Sequence, residues 1–389
     1  MFDLPVARRR LLASGLAGVG LAGAGIAVLP RMAFAAAPTE RRFVFVIQRG
    51  AADGLNIVMP VGDPAFAAAR GSLALPGGTP LDSMFTLHPA LGETAKMFAG
   101  REALFAHAVA SRYRDRSHFD GQNVLETGGT QPYQLKDGWL NRFLALLPKS
   151  QGDAIAISST IPAALRGKIE VASHAPSALP DAPDDLLMRV STMYAADPQL
   201  HGLWEQAMST RAMTGDLSDA GGRNAAATGA LAARLLTGPT TRIAMIETGG
   251  WDTHAQQQGR LNAQLKGLDA MLGALKTGLG PQWANTLVVV ATEFGRTVAV
   301  NGTGGTDHGT GSAAMLLGGR VAGGRVVADW PGLSAANLYE GRDLKPTLSL
   351  DTLIGAALAQ HYDLDPVRVL GALFPDETSK AFGERLVRA

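Results

Sequence analysis

The sequence predicts an α/β protein whose central sheet is mostly parallel and is covered by helices on both faces. Short runs that are almost entirely apolar alternate along the chain with longer amphipathic stretches. Apolar runs of this kind are typical of parallel strands, which are buried on both faces. The chain has 389 residues, of which 46% are hydrophobic and 18% charged, and this is enough to bury a sizeable core.

Six apolar runs are predicted strands. They are FVFVI at 43–47, ALFAHAVAS at 103–111, AIAIS at 154–158, RIAMIE at 242–247, TLVVVAT at 286–292 and AAMLLGG at 313–319. Most of the amphipathic stretches between and after them are predicted helices. These helices cover 117–126, 137–147, most of 185–236, about 253–279, 348–362 and 366–374.

The first 35 residues are predicted to be an export signal rather than part of the fold. Three arginines at 8–10 precede an uncharged stretch at 11–30, and Ala-Phe-Ala at 33–35 is a small-x-small cleavage pattern. The paired arginines and the glycine-diluted apolar stretch resemble a twin-arginine signal. An uncleaved membrane anchor is the alternative, which the five glycines in that stretch weaken. The protein is therefore predicted to be periplasmic or secreted.

Residues 36–389 are predicted to form one domain with a helical insertion at about 185–236. Because there is no cysteine, disulfides and Cys-ligated zinc are excluded, and any metal must be held by Asp, Glu, His, hydroxyl or water. Removal of residues 1–35 changes the net charge from +1 to −2, and no basic run suits nucleic-acid binding. No stable membrane span is expected after signal cleavage, and no protein partner is indicated.

Polar clusters follow four of the predicted strands. Because the carboxyl ends of parallel strands meet at one edge of a sheet, where ligands bind in open α/β folds, we expect these clusters to converge. In chain order, the cluster residues are Arg49, Asp53, Arg112, Arg114, Arg116, Ser117, His118, Asp252, His254, Glu293, Arg296, Asp307 and His308.

The acids and imidazoles among these residues predict a metal centre. Carboxylate and imidazole ligands without sulfur suit Zn²⁺, Mn²⁺, Mg²⁺ or Ca²⁺, and one or two such ions are expected. Asp252 and His254 are two positions apart, so they point the same way only on extended backbone. Ser117 before a helix lies among free N–H groups that favour an anion, which suits a nucleophile for a phosphate or sulfate ester. The candidate metal ligands are Asp53, Asp252, His254, Glu293, Asp307 and His308.

Ordinary structural roles remain open for the same residues. Ser117 and Asp252 are each acceptable as nothing more than a helix N-cap. Asp53 is compatible with a simple turn before Gly54, and Glu293 with a surface ion pair to Arg296. The metal hypothesis therefore depends on the joint pattern and not on any single residue.

Five segments resemble the signature segments of a bacterial exported family, domain of unknown function 1501. They are RGAADGLN, RSHFDGQ, ETGGWDTH, ATEFGRT and NGTGGTDHGTGSAAMLLGG, in that order. That family in turn resembles the alkaline phosphatase and sulfatase superfamily, which is α/β with a two-metal site.

The more distant resemblance implies roles position by position. Asp53 falls where the superfamily has its first metal-binding Asp, and Ser117 where it has the nucleophile. Asp252 and His254 resemble its Asp/His ligand pair, although their spacing is two instead of four. Glu293 stands where an Asp is usual, and Phe294 where a metal-binding His is usual. His308 resembles the last metal-binding His.

The leading hypothesis is thus an exported metal-dependent hydrolase of anionic esters, either small molecules or envelope-derived. Ser117 or a metal-bound water would be the nucleophile, Arg116 and Arg49 would hold the anionic oxygens, and Asp307 would be an outer or alternate ligand. The alternative is a binding protein with a degenerate site, which the Phe294 departure favours. A serine esterase is disfavoured because no G-x-S-x-G elbow is present.

Overall fold

The structure is a computed structural model that describes residues 40–148, 153–175, 184–197, 200–204, 208, 224–379 and 382–388. The export signal predicted at 1–35 lies outside the described residues, as does much of the helical insertion predicted at 185–236. Both therefore stay predictions.

A nine-stranded sheet lies at the centre of the described part of the chain. In chain order, the strands of the protein are β1 (Arg42–Gln48), β2 (Val58–Met59), β3 (Thr79–Pro80), β4 (Thr86–Leu87), β5 (Ala103–Ala110), β6 (Asp153–Ile157), β7 (Ala172–Ser173), β8 (Thr241–Thr248), β9 (Thr286–Thr292), β10 (Ser312–Leu317), β11 (Arg325–Val327) and β12 (Leu348–Ser349). The spatial order in the main sheet is β11-β5-β10-β9-β1-β8-β6-β7, with β12 also paired to β5, while β2, β4 and β3 form a small second sheet.

The main sheet is mostly parallel, as the apolar runs predict. β1 pairs in parallel with β8 and β9, and β6 pairs in parallel with β7 and β8. β10 is the exception, because it runs antiparallel to both β5 and β9. The carboxyl ends of β1, β5, β8 and β9 therefore meet at one edge, and β10 begins at that same edge. We call this the carboxyl edge.

Two apolar layers cover the sheet, because alternate residues of each strand face opposite sides. Phe43 and Phe45 of β1 pack on one side, where their rings contact the edge or face of Trp139. Val44 and Val46 pack on the other side with residues such as Leu265. All seven residues of β1 are buried, which explains why its sequence shows no polar alternation.

Helices supply both layers. The helices of the described residues include α1 (Gly54–Ile57), α2 (Phe66–Arg70), α3 (Gly92–Ala99), α4 (His118–Thr127), α5 (Trp139–Leu146), α6 (Asp184–Tyr194), α7 (Ala225–Thr237), α8 (Gln257–Leu279), α9 (Leu350–Tyr362) and α10 (Pro366–Leu373). α4, α5, α9 and α10 contribute to the layer that contains Trp139, and α3, α7 and α8 to the other layer. Among the described residues, no helix is long and apolar enough to cross a bilayer.

The predicted start of the long helix at about residue 253 is wrong by four residues. α8 begins at Gln257, because Ala255 pairs with Gly304 in a short antiparallel bridge that keeps the preceding backbone out of the helix. Asp252 and His254 therefore lie on non-helical backbone, which is what a shared ligand role requires.

The contact between α7 and α8 makes a stability prediction. A Cβ added to Gly229 of α7 would lie 2.1 Å from the carbonyl oxygen of Met271 on α8. A Gly to Ala change inside an exposed helix ordinarily stabilises by about 0.5–1 kcal/mol. We expect Gly229→Ala to destabilise instead, by about 1–3 kcal/mol, because the two helices must move apart. The measurement is the free energy of unfolding from urea denaturation.

Gly259 on α8 is the matched control. A Cβ there would meet no atom within 4 Å. Gly259→Ala should be neutral or stabilising by the usual amount. If both variants stabilise the protein, the close packing of α7 against α8 is contradicted.

Candidate metal centre

Three imidazoles and one carboxylate converge at the carboxyl edge. His118 is the first residue of α4, which follows β5. Asp252 and His254 lie in the loop between β8 and α8, and His308 lies in the glycine-rich loop before β10. The structure thus brings together side chains from three separate polar clusters of the sequence.

The ring Nε2 atoms of the three histidines all face Asp252. Nε2 of His254 lies 3.1 Å from Oδ1 of Asp252 and 3.0 Å from Nε2 of His308. Nε2 of His308 and Nε2 of His118 each lie 3.4 Å from an Asp252 carboxylate oxygen. Four ligands at zinc–nitrogen bond lengths around one ion would be separated by about 3.4 Å, so these spacings suit a common cation.

The other nitrogen of each ring is held by an acceptor. Nδ1 of His118 lies 2.8 Å from Oε1 of Glu293, and Nδ1 of His254 lies 3.1 Å from Oδ1 of Asp307. Nδ1 of His308 lies 2.8 Å from the carbonyl oxygen of Arg116. Because carboxylate and carbonyl oxygens only accept, each Nδ1 carries a proton and donates it. A ring that is neutral then presents an unprotonated Nε2, which is the usual state of a metal-binding histidine.

This arrangement concentrates lone pairs in a small volume. The Nε2 atoms of His254 and His308 lie 3.0 Å apart, so two neutral rings that carry their protons on Nδ1 would place lone pairs against each other. Nε2 of His118 is buried and has no hydrogen-bond partner in the described part of the chain. Facing acceptors repel one another unless a cation or a proton lies between them. The donor set therefore fits a bound metal ion.

The carboxylate of Glu293 holds His118 in place. It is buried and accepts from the backbone N–H of Gly50 at 2.8 Å, from Nδ1 of His118 and from Nε2 of Gln122 at 3.0 Å. Burial acts to raise the pKa of Glu293, but these hydrogen bonds outweigh it and lower the pKa. Glu293 is therefore ionised, and in the structure it orients His118 instead of joining the converging Nε2 atoms.

The neighbouring groups also set the protonation of the centre. The hydrogen bond to Glu293 raises the pKa of His118, whereas burial lowers the pKa of His308. Burial acts to raise the pKa of Asp252, but the ion pair with Arg296 outweighs it and lowers the pKa. Nη1 of Arg296 lies 2.6 Å from Oδ1 of Asp252, and the guanidinium itself is fully buried.

The glycines of the loop from Asn301 to Gly311 allow backbone to lie directly on backbone. A Cβ on Gly305 would lie 2.3 Å from the carbonyl oxygen of His254, and one on Gly309 would lie 2.4 Å from that of Arg296. A short antiparallel bridge also pairs Arg296 with His308. Glycine is therefore needed here to bring the segments that carry His254 and His308 together.

Ser117 lies between two residues that contact the centre. The carbonyl of Arg116 holds His308, and His118 presents its Nε2 to Asp252. Ser117 precedes the first turn of α4, but its side chain makes no capping hydrogen bond. Arg116 has a φ of +61°, a conformation that costs about 1 kcal/mol or more for a residue with a side chain. The structure thus places Ser117 at the rim of the centre with its hydroxyl uncommitted to the helix.

Asp53 is bound to residues outside the metal centre. It is buried, forms an ion pair with Arg70 and accepts hydrogen bonds from Gln257 and the N–H of Leu55. Arg70 also donates to Asn56 and to the carbonyl oxygens of residues 297 and 298. The structure therefore does not bring Asp53 among the converging donors, because a guanidinium already neutralises its charge.

The two arginines expected to hold an anion are also paired. Arg49 contacts Glu126 and Glu247, with its Nε 2.7 Å from Glu247. Arg116 forms ion pairs with Asp343 at 2.7 Å and with the exposed Glu340 at 2.5 Å. Both guanidiniums are paired with carboxylates instead. The contacts of Arg49 and Arg116 therefore give no support to their predicted role in binding an anion.

His118 is the residue that sequence reasoning missed. It belongs to one of the polar clusters, but it is not among the metal ligands that the sequence predicts. Its ring stacks on Phe294, with centroids 5.1 Å apart and an interplanar angle of 21°. Phe294, which does not bind metal in the way a histidine would, instead positions an imidazole from another segment. The signal available in the sequence was the position of His118 in a polar cluster after β5.

Comparison with known proteins agrees with the resemblance inferred from the sequence. Residues 40–374 match the profile of the family described as "Protein of unknown function (DUF1501)". No curated protein matches the chain by sequence.

Several solved structures are distantly similar to the chain. Alkaline phosphatase from the Antarctic bacterium TAB5 has 13% identity and a TM-score of 0.37, covering 75% of this chain and 95% of that one. A 2-O GAG sulfatase has 9% identity and a TM-score of 0.41, covering 88% and 76%. The C-terminal periplasmic domain of EptC from Escherichia coli, in complex with Zn, has 9% identity and a TM-score of 0.35, covering 72% and 73%. All three TM-scores are below 0.5, so we draw no functional inference from these likenesses.

The contact between Glu293 and His118 makes a titration prediction. Glu293→Gln removes the negative charge that raises the pKa of His118, so that pKa should fall. The measurement is an NMR titration of the histidine ring protons in chelator-treated protein. Asp307→Asn is the matched control, because Asp307 contacts His254 and should leave the pKa of His118 unchanged. Equal titration of His118 in wild type and Glu293→Gln would contradict the assigned contact.

Proposed function

The chain belongs to the DUF1501 family, and we propose that it is an exported metal-dependent hydrolase of phosphate or sulfate esters. One observation carries this proposal. All three Nε2 atoms lie 3.1–3.4 Å from a carboxylate oxygen of Asp252, and those of His254 and His308 lie 3.0 Å apart, while every Nδ1 is tied to an acceptor. Such a donor set is suited to a divalent cation.

The charges around the centre support a single divalent ion. The carboxylates of Asp252, Glu293 and Asp307 contribute three negative charges, and Arg296 contributes one positive charge. The sum matches one doubly charged cation. A second ion at Asp53 is disfavoured, because Arg70 already provides a buried positive charge there.

Three imidazoles and one carboxylate favour zinc over the harder cations. Magnesium and calcium prefer oxygen ligands, whereas imidazole nitrogens suit zinc and related transition metals. We propose His118, Asp252, His254 and His308 as the ligands. Glu293, Asp307 and the Arg116 carbonyl would orient the three rings, as outer partners of metal-binding histidines commonly do.

The chain's own residues provide the remaining chemistry. A divalent ion held here would supply Lewis-acid polarisation of an ester oxygen. Ser117 would present its Oγ, or orient a water, at the N-terminus of α4, where unpaired N–H groups favour the anionic part of an ester. Because Arg49 and Arg116 are paired with carboxylates, we assign the binding of the anion to the helix terminus and the centre.

The same pairing gives a specific reason for a second candidate. A hydrolase of anionic esters commonly uses a free arginine at the reacting group, and neither of the two arginines expected for that role is free. A metal-loaded protein that binds an envelope-derived or small anionic ester without cleaving it is therefore the alternative. In either case we propose a periplasmic or secreted location, which rests on the signal-like residues 1–35.

The first test is metal content. We expect about one zinc ion per chain in protein purified without chelator, measured by inductively coupled plasma mass spectrometry. His118→Ala and His308→Ala should lose the ion, because each removes a direct ligand. Asp307→Asn should weaken binding by about 10–100-fold, because it only releases the orientation of His254.

His201→Ala is the matched control for metal content, since His201 is exposed and belongs to none of these contacts. It should retain the ion fully. A wild-type protein that binds no divalent metal, or a His118→Ala variant that keeps full occupancy, would remove the basis of the proposal.

The second test is turnover of 4-nitrophenyl phosphate and sulfate. Ser117→Ala should lower kcat on the order of 100-fold or more if Ser117 is the nucleophile. Ser334→Ala is the control, because Ser334 also precedes a short helical turn without capping it. Loss of turnover in His308→Ala with full turnover in Ser117→Ala would transfer the nucleophilic role to water. Metal binding with no turnover of any ester would favour the binding-only candidate.

A further inference from the structure

A groove rich in arginine lies at the opposite edge of the sheet from the metal centre. Its walls come from three segments, at 100–101, 322–325 and 384–388. β5 begins at Ala103 and the antiparallel β10 ends at Leu317, so this region is the amino edge of the parallel strands. A ligand in this groove is therefore separated from His118 and His308 by the length of β5.

Backbone pairing assembles the groove. Val321 and Val387 form an antiparallel bridge, and the N–H of Gly323 donates to the carbonyl of Arg101 at 3.2 Å. Leu386 and Val387 are buried in the core, which leaves the flanking Arg385 and Arg388 at the surface. The short C-terminal segment thus presents its arginines outward because its apolar residues anchor it inward.

The groove carries a strong excess of positive charge. It encloses about 640 Å³ and is lined by Arg101, Arg325, Arg385 and Arg388, with Glu384 as its only acidic side chain in the described part. The ion pair from Arg325 to Glu384, at 2.5 Å, neutralises one arginine. Three positive charges remain in one groove of a chain whose total net charge is only +1.

Two of these guanidiniums have no partner among the described residues. Arg101 and Arg385 contribute backbone carbonyls to hydrogen bonds, but their side chains donate to no described group. Arg388 donates one hydrogen bond, from Nη2 to the carbonyl oxygen of Arg101, and its other side-chain nitrogens donate to no described group. Arg101 has a φ of +59°, the left-handed conformation that commonly follows the last turn of a helix, and here it ends α3.

We propose that this groove is a binding site for a ligand that carries two or more phosphate or sulfate groups. Planar guanidiniums bind tetrahedral oxyanions through paired hydrogen bonds, and three uncompensated charges exceed what one such group needs. The groove, at about 640 Å³, has room for a ligand larger than a single oxyanion. This site is independent of the metal centre and of the proposed hydrolysis.

The test is calorimetric titration of chelator-treated full-length protein with inorganic pyrophosphate. Wild type should bind, and the double variant Arg101→Gln with Arg385→Gln should bind about tenfold or more weakly. Arg368→Gln on α10 is the matched control, because Arg368 is exposed and lies outside the groove. His308→Ala should bind pyrophosphate like wild type, which separates the groove from the metal centre. Thermal melting of each variant confirms that it is folded.

A second arm identifies the source of the anionic groups. Sedimentation with phosphatidylcholine vesicles, with or without phosphatidylglycerol, tests lipid headgroups. Binding only to phosphatidylglycerol vesicles, lost in the double variant, would assign the groove to headgroups at a membrane surface. Binding of pyrophosphate without vesicle binding would assign it to a free polyanionic ligand. Equal affinity of wild type and the double variant, or no binding of either probe, overturns the proposal.

Discussion

Electrostatic repulsion among unprotonated acceptors is the constraint on which the carboxyl edge depends. Donor atoms of His118, Asp252 and His308 lie within 4.8 Å of one another, and Nε2 of His254 lies 3.0 Å from that of His308. They come from the start of α4 and from two loops, and a positive charge, from a cation or a proton, makes their proximity favourable. Each ring is turned into this unfavourable arrangement by a fixed acceptor on its far side. The buried carboxylate of Glu293 is the firmest of these, because it accepts from backbone and side chains at once. The hydrogen bonds of the Nδ1 atoms thus fix the rings so that their Nε2 atoms face one another.

A buried ion pair between Asp53 and Arg70 lies further inside the protein and is connected to the centre. Asp53 would be an isolated buried carboxylate without Arg70, and isolated buried charges are strongly unfavourable. Gln257 links this pair to the centre, because it donates to Asp53 and accepts from Thr306, which in turn accepts from Arg296. Arg296 ends the series at Asp252. A guanidinium therefore occupies the position at which a metal ion was expected, and the orientation of Asp252 is coupled to the core through hydrogen bonds.

Burial explains which parts of this structure could be read from the sequence. FVFVI and TLVVVAT are buried on both faces, so their composition alone predicts parallel strands, and the polar residues after their carboxyl ends predict the edge at which the clusters converge. The direction of β10 could not be read, since an apolar run looks the same in either orientation. The role of His118 depended on Phe294 and Glu293, which are distant in sequence and meet it only in the fold. The neutralisation of Asp53 depended on Arg70, whose burial no local pattern indicates.

The distinction between catalysis and mere binding rests on the backbone around Ser117. A centre that only bound an ion would need the Arg116 carbonyl and the His118 ring. It would not need the hydroxyl of Ser117, the residue between them, to be free of a capping hydrogen bond. N-capping by serine stabilises a helix by about 1 kcal/mol, and α4 lacks a side-chain cap although a serine stands at the right position. The positive φ of Arg116 adds a further cost at the same turn. Ser334 also leaves its helical turn uncapped, so a chemical role for Ser117 is inferred from its place beside the cation site together with the positive φ of Arg116.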